Sequence, residues 1–397
     1  GIAPYTDEIS SALISVLNVC TTSQGTHLSR VANRILPDVL SVLQPKGVEA
    51  MRGLWKAYWK TLQRLIKEDP RRELTQDYIE SVGKCVEKLG KEGVSVDEMN
   101  EIGGMIREQM EDEKRRREQP VGRLENIDLL EGLEYLVGKL FIARGTSFCH
   151  YLRPSMPLLF TLIDSSIIKV WGVKLITHLC TFAPDMALYY RPQILQLFIP
   201  LFHDEISENR VTASHFLASI SKIDRREWKG LAVESLKSLY EMISRPDART
   251  DEYNKATDNG ISSICLILKN CGEAIVGREK YNHALKKLLV FLPIRDDGEQ
   301  VGHVYGFLAD LIEAGNQTIL GEPNVNSPRL LALLVKALHF DIFSTEHGDY
   351  DLKKRLKTII QEIGETDCFY EWVERAEFNN DEYETLERLI GDNPDDE

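Results

Sequence analysis

The stretch that decides the fold is residues 191–220, read as RPQILQLFIPLF (191–202), a turn around His203–Asp204, and SENRVTASHFLASI (207–220). Apolar side chains recur at helical spacing on both sides of the polar turn, which predicts two helices packed as a hairpin. Residues 154–180 repeat this layout as PSMPLLFTLI, Asp164 and IIKVWGVKLITHLC. The chain is therefore expected to be built from repeated helix pairs.

The helix-breaking and capping residues of these two pairs support the same interpretation. The first helices contain prolines, which bend or start a helix; they are Pro154, Pro157, Pro192 and Pro200. Asp164 and Asp204 are placed to cap the second helices. Lys169 and Arg210 follow five and six residues later. This arrangement resembles HEAT repeats, in which an Asp in the turn and a basic residue early in the second helix form a ladder between neighbouring repeats.

Helical periodicity continues through the chain, while alternating strand patterns are nearly absent. Gly, Pro, Asn and Asp clusters divide it into helix pairs that start near Tyr5, Gly47, Ser95, Phe148, Asp185, Arg226, Gly277 and Asn326. The spacing averages about 46 residues, close to the HEAT and armadillo period. The predicted fold is an all-α HEAT-repeat solenoid of about eight antiparallel pairs. It forms one continuous array over 1–397, and terminal helices at 367–390 cap it.

The chain has 397 residues with 62 acidic and 48 basic side chains, a formal charge of −14. This excess of negative charge excludes non-specific nucleic-acid binding, which needs a dense positive surface. An acidic surface instead favours capture of a basic polypeptide.

The hydrophobic fraction of 43% supports a large core. No apolar run reaches the length of a membrane span, and the start lacks the pattern of a secretory signal. Because the start also lacks Met, we expect a processed or excised piece of a longer protein. Seven scattered cysteines without a CxxC motif favour buried thiols in a reducing compartment.

No motif for catalysis, nucleotide binding or a cofactor is present. His178 and Cys180 lie two apart on a predicted helix, so they diverge and cannot share a metal ion. Cys265 and Cys271 are interpreted as packing residues. The sequence therefore predicts a protein that is not an enzyme, with no cofactor and no metal.

Two other features have a functional and a structural interpretation. Trp55 and Trp59 could dock an aromatic peptide, but such a pair is more often part of the core. The run EDEKRRRE at 111–118 is mixed in sign and is typical of a solvated helix end or loop.

Three stretches carry a family resemblance: ATDNGISSICLILK (256–269), LPIRDDGEQV (292–301) and FLADLIEAGNQTILGEPNVNSP (307–328). Their succession resembles the C-terminal HEAT repeats of karyopherin-β (importin-β) nuclear transport receptors. The nearest branch is importin five, also called importin subunit beta-three. The long acidic insertion of that branch is reduced here to the short mixed-sign run at 111–118.

The resemblance implies a receptor segment that shuttles between cytoplasm and nucleus. It implies binding of basic cargo proteins or import signals and of Phe-Gly nucleoporins in grooves between first helices. The GTPase Ran would be bound mainly by the N-terminal half of such a receptor. A monomer is expected, without direct nucleic-acid contact or membrane insertion.

Acids on the second helices would meet the basic side chains of cargo, and Asn would hold its backbone. The candidate cargo-binding residues are Asp258, Asn259, Asp297, Glu299, Asp310 and Glu313. The structural alternative is that these residues are ordinary solvated acids and helix caps.

Two other functional classes stay open. A HEAT scaffold that assembles a multiprotein complex, such as a phosphatase, is the main alternative, although scaffolds of that kind keep a stricter repeat length. An enzyme would need a convergent polar site, which no motif supports.

Overall fold

The computed structural model describes residues 6–19, 25–69, 74–118, 128–163, 169–322, 324–340 and 350–391. Within these ranges the chain is almost entirely helical, and no β-strand occurs. The chain divides into two compact units, residues 1–197 and 198–397.

The first unit consists of helices in the residues that the structure describes. Its helices are α1 (Thr6–Val19), α2 (Gly25–Leu43), α3 (Val48–Glu68), α4 (Thr75–Gly93), α5 (Val96–Arg117), α6 (Asp128–Arg144), α7 (Cys149–Leu152), α8 (Met156–Ile163), α9 (Lys169–Phe182), α10 (Pro184–Tyr189) and α11 (Arg191–Phe198), which reaches the boundary between the units. The second helices of successive pairs, α2, α4, α6 and α9, each contact the next one along the chain.

The two tryptophans of α3 belong to the core of this unit. Trp55 and Trp59 are 0% and 2% exposed, and their rings stack with centroids 5.5 Å apart. Trp59 Nε1 donates to Glu101 Oε2 on α5 at 2.7 Å. The core interpretation of the pair is confirmed.

The charged run 111–118 is the end of α5 and the residue after it. Its charges pair along the helix, since Arg107 reaches Glu111 at 2.9 Å and Arg117 reaches Glu113 at 2.7 Å. The predicted helix end is observed, but the run is only partly solvated, because Glu113 is 8% exposed and pairs with the mostly covered Arg117.

The second unit continues the same pattern. A 3₁₀ turn at Ile199–His203 is followed by α12 (Ser207–Ser221), α13 (Arg226–Glu234), α14 (Leu236–Ile243), α15 (Asn254–Val276), α16 (Arg278–Phe291), α17 (Val301–Glu313), α18 (Gln317–Leu320), α19 (Ser327–His339), α20 (Tyr350–Gly364), α21 (Phe369–Arg375) and α22 (Asn380–Gly391). The second helices α12, α15, α17 and α20 contact one another in that order.

The central helix α15 is buried on every side of its first half. Residues 256–265 all lie in the core, because α12 and α17 flank the helix and α14 packs against it. Gly260 makes this close packing possible: a Cβ there would lie 2.6 Å from side-chain atoms of Met242 and Ile243. Cys265 and Cys271 are buried, which confirms their interpretation as packing residues.

The predicted fold class is confirmed. In the described ranges the helices form eight pairs, and α21 and α22 follow the last pair. The first helices begin at Thr6, Val48, Val96, Cys149, Pro184, Arg226, Arg278 and Gln317. The expectation of one continuous array over 1–397 stays a prediction.

The prolines act as expected in the fifth pair. Pro192 lies in the first turn of α11, and Pro200 lies in the 3₁₀ turn that follows this helix. Asp204 does not cap α12. Its Oδ1 accepts from the Ile206 backbone N–H at 3.0 Å and forms a turn just before the helix. Asp164 lies outside the described residues.

Candidate functional site

The six predicted binding residues fall on two consecutive second helices and the loop between the corresponding pairs. Asp258 and Asn259 lie in α15, Asp297 and Glu299 lie in the segment before α17, and Asp310 and Glu313 lie in α17. The structure brings the first three together inside the protein and leaves the other three at the surface.

Asp258 is fully buried, with 0% exposure, and its carboxylate accepts several hydrogen bonds. Its Oδ1 accepts from Arg249 Nη1 at 2.7 Å. Its Oδ2 accepts from three consecutive backbone N–H groups, those of residues 295, 296 and 297, at 2.9, 2.7 and 3.1 Å. The carboxylate therefore ties α15 to the loop that leads into α17.

Asn259 and Asp297 complete the same junction. Asn259 is 0% exposed, and its Nδ2 donates to Asp297 Oδ2 at 2.7 Å and to the Lys255 carbonyl at 2.9 Å. Asp297 is 7% exposed, and its Oδ1 accepts from the Glu299 backbone N–H at 3.2 Å.

The expectation that Asp258, Asn259 and Asp297 face solvent and meet cargo is therefore wrong. Burial and internal hydrogen bonds occupy these side chains, because a buried carboxylate is stable only when it is paired and hydrogen-bonded. The three residues hold neighbouring repeats together.

Two arginines in this unit extend the junction between repeats. Arg249 also donates through Nη2 to the carbonyls of Phe291 and Pro293, at 2.6 and 3.2 Å. Arg329 donates to the carbonyls of Leu289 and Leu292 at 2.6–3.4 Å. Both guanidinium groups thus bind carbonyl oxygens at the C-terminal end of the first helix α16 and at the residues just after it, where positive charge is favourable.

The expected ladder at Arg210 takes a different form. Arg210 is 1% exposed, and its Nε donates to the backbone carbonyl of Asp204 at 2.5 Å, not to the carboxylate. Its guanidinium lies 4.1 Å from the centroid of the Tyr253 ring. Burial and the nearby Arg245 lower the pKa of Arg210, and the Tyr253 hydroxyl donates to the Glu205 carbonyl at 2.9 Å.

Asp310 and Glu313 are partly exposed but already paired. Arg355 on α20 donates to Asp310 at 2.8 Å and to Glu313 at 2.7 and 2.6 Å, and Lys269 on α15 donates to Asp310 at 2.8 Å. A charged row therefore crosses α15, α17 and α20. Burial raises the pKa of Asp310, but the hydrogen bonds from Lys269 and Arg355 outweigh it and leave the pKa lowered.

The hydrogen bond from Arg355 also lowers the pKa of Glu313, and that bond raises the pKa of Arg355. The acids of this row carry their charge at neutral pH, but the cations next to them cancel most of it. A basic partner would have to displace Lys269 or Arg355 to gain a full ion pair here.

Unbalanced acids lie instead along the loops that lead into the second helices of the second unit. Glu205, Glu208, Asp251, Glu252, Asp296 and Glu299 are exposed there. The segments 204–209, 250–255 and 295–300 contain eight acids and two bases, Lys255 and Arg295. We call these six exposed acids the acidic edge.

Hydrogen bonds connect the segments of the acidic edge to the neighbouring repeats. Tyr253 bonds to Glu205 across the first junction, and Asp258 bonds to residues 295–297 across the second. Of the sequence-predicted residues, only Glu299 belongs to this edge. The other members were missed because the prediction took acids only from the three stretches that carry the family resemblance, although the paired acids Asp251-Glu252 immediately before α15 are visible in the sequence.

Charge is distributed unevenly between the two units. Residues 1–197 contain 25 acidic and 25 basic side chains, while residues 198–397 contain 37 acidic and 23 basic ones. The whole excess of negative charge therefore belongs to the second unit, which also carries the acidic edge.

The first unit offers a groove between two neighbouring first helices, α3 and α5. This groove has a volume of about 720 Å³, and Ile66, Met105 and Gly104 are among its lining residues. Another groove, on the first-helix side of the second unit, has a volume of about 820 Å³. A Cβ on Gly104 would meet no atom within 4 Å, so this side of the groove is open. In volume both grooves fall in the range of small binding pockets.

Among the described residues, no group of three or more His, Cys, Asp or Glu side chains could hold a metal ion. His178 Nε2 lies 2.6 Å from Glu134 Oε1 on the neighbouring second helix, so this histidine belongs to a contact between repeats. None of the described helices is long and apolar enough to cross a membrane.

No family model matches the chain. Its backbone is similar to solved structures of Kap121p, over 97–98% of this chain. The structure bound to RanGTP has a TM-score of 0.74 at 16% identity, the structure bound to the SUMO protease Ulp1p has 0.74 at 16%, and the structure bound to Nup53p has 0.72 at 17%. The chain spans 35% of the length of each of these structures. At this identity the similarity establishes the fold: the chain has the all-α HEAT-repeat fold of the karyopherin Kap121p.

Proposed function

We propose that this chain is a segment of an importin-β-like nuclear transport receptor, related to the importin five branch, that shuttles through the nuclear pore. It binds basic cargo or import signals and Phe-Gly nucleoporins. Ran contacts mainly the repeats that would precede it in a full-length receptor. The observation that supports this most is the backbone similarity to Kap121p over nearly the whole chain, including complexes with RanGTP and Nup53p.

Basic segments bind along the acidic edge in this proposal. Glu299 keeps its predicted role there, while Asp310 and Glu313 contribute only when the peptide competes with Arg355. An unbalanced acidic surface attracts a basic peptide over a Debye length and speeds its capture.

The spacing of the edge favours an extended peptide. Neighbouring helices lie about 8–10 Å apart, so successive loops of the edge have a comparable separation. An extended chain advances about 3.3 Å per residue. Lys or Arg at every third position would therefore meet one acidic loop after another.

Phe-Gly segments bind in the groove between α3 and α5. The open surface at Gly104 leaves room for an aromatic ring above Ile66 and Met105, which are 7% and 8% exposed in a groove otherwise lined mostly by polar and charged side chains. Burial of one aromatic side chain gives a weak interaction, which suits a contact that must form and break repeatedly.

The experiment is a titration of a fluorescein-labelled peptide with Lys or Arg at every third position, read by fluorescence anisotropy. Glu299→Lys combined with Glu252→Lys should weaken binding at least tenfold, because two acids of the edge become repulsive. Glu234→Lys combined with Glu279→Lys is the matched control, with the same charge change on exposed positions of first helices.

Binding that weakens with salt and is lost only in the edge variant supports the proposal. Equal loss in both double variants would show that net charge alone attracts the peptide. No binding by the folded wild-type chain at low salt would contradict a cargo role for this segment.

A further inference from the structure

A second groove runs between α16 and the segment 317–329, on the first-helix side of the second unit. Its volume is about 820 Å³, and Lys286 and Val290 of α16 face Val325 and Arg329 across it. A smaller groove of about 450 Å³ adjoins it, shares Val325 and Arg329, and continues along α19 to Lys336. Together we call them the α16–α19 groove.

This groove is basic in a unit that is otherwise acidic. Its lining contains four cations, Lys286, Arg329, Lys336 and Arg375, against two acids, Glu322 and Glu377. Among the described residues, no carboxylate lies within ion-pair distance of Lys286. Arg329 is bonded to backbone carbonyls, so its charge is not neutralised by an acid.

Acidic side chains near the groove do not cancel this charge. Glu322 is the acid that lines the larger groove. In the smaller one, Glu377 lines the groove together with Arg375, and Lys336 is paired with Glu382 at 3.7 Å, so the uncompensated positive charge is concentrated around Lys286 and Arg329.

Two exposed valines lie on opposite sides of the same groove. Val290 is 71% exposed and Val325 is 50% exposed. A single exposed valine needs no explanation. Two of them across a groove with cations beside them form a surface that is both apolar and positively charged.

We infer that the α16–α19 groove binds an acidic linear peptide that carries branched aliphatic side chains. Carboxylates of the peptide pair with Lys286 and Arg329, and its aliphatic side chains cover Val290 and Val325. Charge complementarity selects this partner, because the second unit, with 37 acidic and 23 basic side chains, repels an acidic peptide elsewhere, whereas the groove concentrates cations. This inference does not rest on the transport proposal, which places basic peptides on the acidic edge.

The test uses the whole chain and a fluorescein-labelled peptide of sequence Asp-Glu-Leu-Glu-Asp-Leu-Glu-Asp, followed by fluorescence anisotropy. Lys286→Glu should weaken binding about tenfold, and Val290→Ser should weaken it severalfold. Lys280→Glu is the matched control, since Lys280 is exposed on the same helix but does not line the groove. All three positions are exposed, so circular dichroism should match the wild type.

The expected result is saturable binding that Lys286→Glu and Val290→Ser reduce and Lys280→Glu leaves within twofold. A peptide with Asn and Gln in place of the acids should not bind. Equal loss in Lys280→Glu, or equal competition by an unlabelled single-stranded oligonucleotide, would show general anion attraction and overturn the inference. Absence of binding by the wild-type chain at low salt would overturn it as well.

Discussion

Replacing Asp258 by Asn should remove one of the strongest connections between repeats in the second unit. The wild-type carboxylate accepts four hydrogen bonds, one from Arg249 and three from the backbone N–H groups of residues 295–297. An Asn side chain has the same shape but one acceptor oxygen. Its amide group must therefore face either the Arg249 guanidinium or the three N–H donors.

The expected loss is large because the site is fully buried. Removing one partner of a buried ion pair costs about 3–5 kcal/mol. Arg249 keeps its hydrogen bonds to the carbonyls of Phe291 and Pro293, so the main cost falls on the three backbone N–H groups. Hydrogen bonds to charged groups contribute about 1.5–3 kcal/mol each, and several of them are weakened here. We expect Asp258→Asn to lower the free energy of unfolding of this region by about 3–5 kcal/mol.

Two measurements check this value. Urea unfolding followed by helical circular dichroism should show a lower midpoint. Hydrogen exchange should show the amides of residues 295–297 exchanging faster, by about 100-fold for a local loss of about 3 kcal/mol.

Asp310→Asn is the matched control for this experiment. Asp310 also accepts hydrogen bonds from a lysine and an arginine, but its side chain is 37% exposed. Exposed ion pairs are worth about 1 kcal/mol or less. If Asp258→Asn destabilises the protein no more than Asp310→Asn does, the account of Asp258 as a structural hub is refuted.

The other predictions concern the Arg210–Tyr253 contact, the pH dependence of the Asp310 ion pairs and the reactivity of the cysteine thiols. Tyr253→Leu should lower the free energy of unfolding about 0.5–2 kcal/mol more than Tyr253→Phe in urea titrations, because only Leu removes the ring that covers Arg210; equal effects would contradict the stacking. The lowered pKa of Asp310 means that its contribution to stability is present above about pH 4 and is lost as the pH falls through its folded-state pKa. The stability difference between wild type and Asp310→Asn should therefore shrink below about pH 4 in unfolding experiments, and a constant difference would refute the ion-pair account. Ellman's reagent should react with the exposed Cys368 in the native protein and with Cys265 only after unfolding, because burial raises the pKa of the Cys265 thiol; peptide mapping of the labelled sites checks this.

The repeat architecture could be predicted from the sequence because it depends on local patterns. Helical periodicity and turn residues determine where a pair begins, so Val48, Val96 and Arg226 lie within one residue of the predicted starts. These signals act over a few turns of helix and need no knowledge of the partner.

The burial of Asp258 could not be predicted in the same way. Its partners are Arg249, nine residues earlier in a loop, and backbone groups 37–39 residues later. Apolar periodicity marks one stripe of α15, whereas the structure buries the first half of this helix all round. The small residues Gly260, Ser262 and Ser263 were the available signal, because they allow neighbouring helices to approach closely.

The distribution of the negative charge along the chain and over the surface could not be predicted from the total charge either. A total of −14 does not reveal that residues 1–197 are balanced, or that Asp310 and Glu313 are compensated by Arg355. Ion pairs between α17 and α20 join residues more than 40 positions apart, and only the fold brings them together.

The most direct test of the proposed receptor function is hydrogen exchange of the whole chain with and without the basic peptide. The account predicts slower exchange in the loops of the acidic edge, at 204–209, 250–255 and 295–300, with α16 unchanged. Peptide binding that protects other parts of the chain, or no binding at low salt, would contradict the account.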